Sequence, residues 1–371
     1  MNRATAAMGG WWRSARELDL EVAFRAAVAA AVPLAILVAA GRIDWAAYAA
    51  FGGMTAIFGR SEPYRTRLRT VTTAAVVQLA ATGLGILLSV GGAGPLVQAA
   101  VLALVVAAVI VAYNMLGVTP STPLFAVFGL LVCAALPVDD GTGWQRWGVA
   151  VAATVFAWLL AMSGWLLRRL AGRRAQRLFR PLPRTTPVRG RGHTDPRLWL
   201  NVAQNVLAAL VAGAIALALG TGHPYWAVVS AVAVIPPARA AHTVSRAVHR
   251  VLGTVAGVAV AALLLWPEPS VWLLVAAVAI CQFGAEVLVT RHYGTALVFI
   301  TPMALTVAHL ASPAPLIGLL GDRVLETVIG AAVGVVAVLA ARRFVEAVPM
   351  PPPTTATPSV APKGPDRPSR G

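Results

Sequence analysis

Residues 70–116 read TVTTAAVVQLAATGLGILLSVGGAGPLVQAAVLALVVAAVIVAYNML and contain no Asp, Glu, Lys or Arg. Two apolar runs, 70–90 and 96–116, are separated by the glycine-rich turn GGAGP. Each run has roughly the 20 residues that a helix needs to cross a hydrocarbon core of about 30 Å. Because only a helix satisfies its own backbone hydrogen bonds in lipid, the stretch predicts two consecutive transmembrane helices.

The same pattern recurs along the 371-residue chain, which is 58% hydrophobic and 12% charged. A soluble protein is nearer half apolar and a quarter charged, so two compact soluble domains are excluded. The prediction is an all-α, polytopic membrane protein with about 12 transmembrane helices. The first six predicted spans are 22–40, 45–58, 70–90, 96–116, 122–136 and 147–167, and the second six are 200–219, 226–235, 251–266, 271–289, 295–310 and 324–341.

The net charge of +16 is distributed among the predicted loops. A basic chain can bind nucleic acid, but here Lys and Arg follow the rule that positive residues stay on the cytoplasmic side of a membrane. With a cytoplasmic N-terminus, all of the 30 Lys and Arg residues except Arg42, Arg146 and Arg323 lie on that side. We therefore predict a multi-pass plasma-membrane protein with both termini cytoplasmic, and no nucleic-acid partner.

The composition divides the chain into five segments. No cleavable signal-peptide pattern precedes the first span, and the last segment is rich in Pro with no apolar face to bury. The predicted segments are a cytoplasmic N-terminal segment (1–21), a first six-helix membrane repeat (22–167), a basic cytoplasmic linker (168–198), a second six-helix membrane repeat (199–343) and a disordered, Pro-rich cytoplasmic tail (344–371).

An internal repeat relates the two halves. Six spans, an even number, separate equivalent points, so both copies enter the bilayer from the same side. The predicted repeats are therefore parallel and related by a pseudo-twofold axis along the membrane normal. An offset of about 181 residues pairs Trp45 with Trp226, Arg65 with Arg246 and Arg69 with Arg250, and an offset of about 182 pairs Thr119-Pro120 with Thr301-Pro302.

The second and eighth spans are shorter than a bilayer crossing and are bounded by Gly and Pro. Short or broken spans at matching positions of two halves indicate a transport site, because helix ends and free backbone groups there can meet a ligand. Trp45 and Trp226 open these spans, and we predict that the two spans form a gate and that both tryptophans bind the substrate. The alternative is two tilted or partly re-entrant helices without a ligand role.

Two pairs of arginines follow the short spans. Arg65 with Arg69, and Arg246 with Arg250, have the i, i+4 spacing that places both side chains on one helix face. Two such faces related by the twofold axis would form a cationic funnel, and guanidinium groups match carboxylates. The alternative is ordinary cytoplasmic anchoring charge.

Prolines mark a second equivalent pair of positions. Thr119-Pro120 and Thr301-Pro302 enter or interrupt spans five and eleven, where a proline frees a backbone carbonyl for a ligand, a water or a neighbouring Thr. A proline in the first turn of a helix is the equally simple alternative.

Glu286 and Glu326 are the acids nearest to apolar surroundings. A charged residue at a helix centre in the bilayer costs about 2.5–3.5 kcal/mol, so both are candidates for proton coupling. Both are predicted near helix ends, and Glu326 could simply pair with Arg323.

No enzyme signature such as GxxxxGK[ST], HExxH or GxSxG occurs, and Cys133 and Cys281 lie inside apolar runs. We therefore predict no catalytic activity, no metal site and no cofactor.

The second half contains the stretches PPARAAHTVSRAVHRVLGTVAG (236–257), HYGTALVFITPMAL (292–305) and DRVLETVIGAAVGVVA (322–337). These three stretches resemble the fusaric acid resistance-like, or aromatic acid exporter, family. The first half departs from this pattern, because Thr72 and Val76 replace Gly253 and Gly257, which predicts looser helix packing there. The large cytoplasmic domain of many members is also absent.

The resemblance implies export of small, often aromatic, carboxylates across the plasma membrane. Plant malate channels of the related superfamily pair two six-helix subunits around an anion path, and this chain is similar to a fused equivalent. The expected partners are a small organic anion and membrane lipid, with a homo-oligomer left open. A passive organic-anion channel and a non-transporting scaffold for envelope assembly are the alternatives.

Overall fold

The computed structural model describes residues 18–60, 62–139, 141–171, 193–235 and 243–347. Within these ranges the chain forms twelve α-helices and no strand, and each helix coincides with one predicted span. The helices are α1 (Leu18–Ala39), α2 (Ala46–Gly53), α3 (Tyr64–Val90), α4 (Pro95–Leu116), α5 (Leu124–Ala135), α6 (Gly143–Ala171), α7 (Pro196–Ala218), α8 (Tyr225–Val234), α9 (Thr243–Leu265), α10 (Val271–Leu288), α11 (Tyr293–Ala311) and α12 (Leu316–Ala347).

Several predictions lie outside the described residues. They concern most of the N-terminal segment (1–17), most of the basic linker (172–192), the start of the family-like stretch (236–242) and the Pro-rich tail (348–371).

Nine of the twelve described helices are long and apolar enough to cross a membrane. The exceptions are α2, α5 and α8, with 8, 12 and 10 residues. The sequence predicted short second and eighth spans, and the structure adds α5 to them. The described part of the chain is therefore a polytopic helical membrane protein by length and composition.

Local sequence explains where the long helices begin and end. Pro95 lies in the first turn of α4. Backbone N–H groups there have no acceptor within the helix, so proline's lack of an N–H costs no hydrogen bond. Gly117 ends the same helix with a φ of 67°, a left-handed conformation that favours glycine. Large apolar side chains such as Leu96 and Leu263 are 87% and 78% exposed on the outer helix faces, as lipid contact requires.

The helices pack in corresponding pairs within each half. In the first six helices, α3 contacts α5 and α6, and α2 contacts α1 and α6. In the second six, α9 contacts α11 and α12, and α8 contacts α7 and α12. Between the halves, α1 contacts α10, α4 contacts α7, α5 contacts α8 and α2 contacts α11.

The looser packing predicted for the first half is not observed, because glycines at other positions allow close contact. A Cβ on Gly85 of α3 would lie 2.8 Å from the Cβ of Cys133 on α5. The equivalent contact in the second half uses Gly253, where a Cβ would lie 2.8 Å from the Cβ of Leu297 on α11. Both pairs of helices therefore approach closely through a glycine.

Two differences from the predictions concern candidate site residues. Helix α12 begins at Leu316 rather than at residue 324, so Arg323 and Glu326 lie within a helix and not near its end. The Thr301-Pro302 pair lies inside α11, whereas Thr119-Pro120 lies in the loop between α4 and α5.

Candidate functional site

A cavity of about 820 Å³ extends between the two halves of the molecule. All four arginines predicted from the repeated i, i+4 spacing line it. Arg65 and Arg69 project from the first turns of α3, and Arg246 and Arg250 from the first turns of α9. We call this space the inner cavity.

The two arginines of α3 are open to solvent. Arg65 and Arg69 are both exposed. Within the part of the chain that the structure describes, neither guanidinium forms a hydrogen bond or an ion pair. Both groups therefore retain all their donors for an anion that enters the cavity.

The two arginines of α9 are held in place by their neighbours. The Nε of Arg246 donates a hydrogen bond to the Ala233 carbonyl at 2.7 Å, and its guanidinium carbon lies 4.4 Å from the centre of the Tyr293 ring. Arg250 is only 4% exposed and donates to the Tyr293 hydroxyl at 2.9 Å. Tyr293, at the start of α11, thus fixes both side chains on one wall.

An ion pair that the sequence did not reveal also lines the inner cavity. Arg60, just before α3, binds both the carboxylate and the carbonyl of Glu286 near the end of α10. Gln282, one turn earlier on α10, donates to the same carboxylate at 3.2 Å. Because Arg60 and Glu286 are 226 residues apart, no local pattern could have paired them.

Trp226 separates the inner cavity from a second one. This second cavity, which we call the outer cavity, has a volume of about 180 Å³. It lies at the C-terminal ends of α5 and α11, and the inner cavity lies at the N-terminal ends of the same two helices. Trp226 is 1% exposed and its ring centre lies 4.9 Å from that of Phe128. Both side chains line both cavities, as do Met54, Gln282, Met303 and Ala304, so these six residues lie between the cavities and are called the barrier.

The equivalent tryptophan of the first half has a different environment. Trp45 is also buried, but it lines neither of the two cavities. The guanidinium of Arg42 covers its ring at 3.5 Å, and Arg42 pairs with Asp44. The sequence symmetry between Trp45 and Trp226 therefore does not extend to the cavities.

The two predicted Thr-Pro pairs also differ. Thr119 and Pro120 line the inner cavity, and the Thr119 hydroxyl donates to the Glu62 carboxylate at 2.7 Å. Thr301 and Pro302 are buried inside α11 and line neither cavity.

Glu326 is 0% exposed and does not line either cavity. Its carboxylate accepts backbone N–H groups from His223 (3.2 Å), Trp226 (3.1 Å) and Ala227 (3.3 Å), at the start of α8. Asp322, one turn earlier, accepts from the Gly222 N–H at 3.0 Å and lies 2.8 Å from a His223 ring nitrogen. The two carboxylates cap the N-terminal end of α8. They supply acceptors for backbone N–H groups that have none within the helix.

Within the described ranges, no three His, Cys, Asp or Glu side chains come together as a metal site would require. The groups that line the inner cavity are guanidiniums, hydroxyls, aromatic rings and the carboxylates of Glu62 and Glu286.

The fold and this cavity define a class, a polytopic helical membrane protein with an internal cationic cavity. Residues 210–337 match the family model described as fusaric acid resistance protein-like, which confirms the resemblance for this part of the chain. Over 139 residues, or 37% of the chain, the sequence is 32% identical to the uncharacterized membrane protein YvaC of Bacillus subtilis (strain 168). The match covers 21% of that protein, about a fifth of its length. No solved structure matches the chain.

Proposed function

We propose that this protein is a permease that exports small aromatic carboxylates across the plasma membrane through a path between two six-helix repeats. The observation that carries the proposal is the inner cavity, where arginines from equivalent positions of both halves line one space. Guanidinium groups bind carboxylates by paired hydrogen bonds, and several together attract anions from solution.

The helix contacts support the proposed repeats. Every packing pair named above within the first six helices has its counterpart, six helices later, in the second six. The contacts between the halves show the same correspondence when each helix is replaced by its counterpart in the other half. The contact of α1 with α10 then corresponds to that of α7 with α4, and the contact of α2 with α11 to that of α8 with α5. A twofold axis along the membrane normal produces this pattern.

The charge distribution supports the proposed direction of entry. If the N-terminus is cytoplasmic, the first turns of α3 and α9 lie on the cytoplasmic side, where positive residues accumulate. The exposed Arg65, Arg69 and Arg246 then attract the substrate at the cytoplasmic mouth of the inner cavity.

Aromatic side chains support the proposed substrate class. Phe125, Phe128, Trp226 and Tyr293 all line the inner cavity. Aromatic rings pack favourably on one another in offset or edge-to-face geometry, so an aromatic acid finds apolar walls beside the arginines. A cavity lined by arginines also favours transport over the scaffold alternative, in which the same charges would face lipid headgroups.

The proposal is tested with purified protein in proteoliposomes. We expect downhill efflux of p-aminohippurate, an aromatic monocarboxylate, to exceed that of the aliphatic dicarboxylate malate. Replacing Arg246 and Arg250 by Gln should lower p-aminohippurate efflux roughly tenfold or more, since each hydrogen bond to a charged group contributes about 1.5–3 kcal/mol. Arg42→Gln is the matched control, because Arg42 lines neither cavity.

Unchanged efflux after replacement of all four arginines, Arg65 and Arg69 included, would contradict the proposal. Efflux equal to that of protein-free liposomes for every acid in a panel of organic acids would instead favour the scaffold alternative.

For energy coupling we propose Glu286 rather than Glu326. Glu286 lines the inner cavity, whereas Glu326 caps α8. An acid gradient across the liposome membrane should accelerate efflux by the wild-type protein, and Glu286→Gln should remove the acceleration while downhill exchange continues. Glu268→Gln, at an exposed loop carboxylate, should keep it. Wild-type efflux that ignores the gradient would identify a passive channel.

A further inference from the structure

Arg323 is a buried cation that the charge pattern assigned to an outer loop. It lies in α12, is 2% exposed and lines the inner cavity beside the barrier. Its guanidinium carbon lies 4.0 Å from the centre of the Trp226 ring. The sequence could not place it there, because Asp322 and Arg323 lower the local hydropathy and made the span begin at residue 324.

The acids nearest to Arg323 along α12 are bound elsewhere. Glu326 accepts three backbone N–H groups of α8, and Asp322 is engaged by Gly222 and His223. Among the residues that the structure describes, no carboxylate pairs with Arg323, and its Nε and Nη1 atoms have no hydrogen-bond acceptor. A buried guanidinium without acceptors carries a large free-energy cost unless an anion or water supplies them.

Two further side chains that line the inner cavity also have a donor without an acceptor. The Nε of Arg250 and the indole N–H of Trp226 are buried without an acceptor. Arg250 also repels Arg323 electrostatically, and a shared anion would relieve that repulsion. The arginines thus differ in depth, since Arg65, Arg69 and Arg246 are exposed whereas Arg250 and Arg323 are 4% and 2% exposed.

We propose that Arg323, with Arg250, forms the innermost carboxylate site of the permease, and that Trp226 and Phe128 hold the aromatic ring of the bound acid. This inference rests on the proposed function and assigns its substrate site. A carboxylate bound there accepts paired hydrogen bonds from the Arg323 guanidinium. No other described group accepts a hydrogen bond from the Nε or Nη1 atom of Arg323. The exposed arginines then serve attraction, and the buried pair serves binding at the barrier.

Binding of p-aminohippurate to the full-length protein in nanodiscs, followed by calorimetry, tests the site. We expect Arg323→Gln to raise the Kd roughly tenfold to a hundredfold, because bonds to a charged group are lost. Arg323→Lys keeps the charge but not the planar fork, and should raise the Kd less, by about tenfold. Arg42→Gln, which removes the guanidinium over Trp45, should leave the Kd unchanged.

Wild-type affinity in both Arg323 variants would overturn this site while leaving the proposed function intact. If Arg323→Gln does not fold, the Kd of Arg323→Lys alone tests the site, and a wild-type Kd in that variant would overturn it. Absence of binding and of transport in the wild-type protein would instead contradict the proposed function itself.

Discussion

Liposomes that contain the Trp226→Ala variant are expected to lose trapped p-aminohippurate at least about tenfold faster than liposomes with the wild-type protein. Trp226 is the largest side chain of the barrier between the two cavities, and it packs on Phe128 with ring centres 4.9 Å apart. Replacing it by Ala removes the indole ring and joins the two cavities into one open path. The measurement is passive efflux with no ion gradient.

The matched control is Trp45→Ala. Trp45 occupies the equivalent sequence position and is also buried, but it lines neither cavity. Both variants lose a buried aromatic side chain, which costs about 3–5 kcal/mol, so thermal unfolding should change similarly. Equal leak rates for the two variants would show that Trp226 is not the barrier.

The Gly330→Ala variant is expected to unfold at a markedly lower temperature than the wild-type protein. Gly330 lies where α12 presses against α8, and a Cβ there would meet the Ala227 carbonyl and lie 2.7 Å from the Cβ of Ser230. Neither helix can relax easily, because all of α8 is buried. Overpacking of this kind costs about 1–3 kcal/mol and sometimes more. Thermal unfolding in detergent micelles measures the effect.

A second glycine of the same helix provides the control. Nothing lies within 4 Å of a Cβ added to Gly321, so Gly321→Ala should raise stability by roughly 0.5–1 kcal/mol through helix propensity alone. A Gly330→Ala variant as stable as Gly321→Ala would mean that α8 and α12 do not pack as described.

The helices and the four arginines were predictable because their signals are local. A transmembrane span is recorded in some 20 consecutive residues, and an i, i+4 pair in five, so neither requires knowledge of the tertiary fold. The predicted repeat then grouped Arg65, Arg69, Arg246 and Arg250 as a set, and in the structure all four line one cavity.

The rest of the site depends on contacts that sequence distance hides. Arg60 meets Glu286 across 226 residues, and Glu326 meets the start of α8 across 100 residues. Arg323 was missed for a different reason. A charged residue lowers the average hydropathy of its segment by the same amount whether it lies at the end of a span or is buried inside the helix. The distinction lies in what covers the side chain, here the ring of Trp226.

The enclosure of α8 has a consequence for how the chain is assembled during synthesis. Ten residues are too few to enter a bilayer independently, so α8 must be carried in between its longer neighbours α7 and α9. The carboxylate that caps its first turn arrives 100 residues later, with the last helix. The second half therefore cannot complete its interior until α12 has left the ribosome.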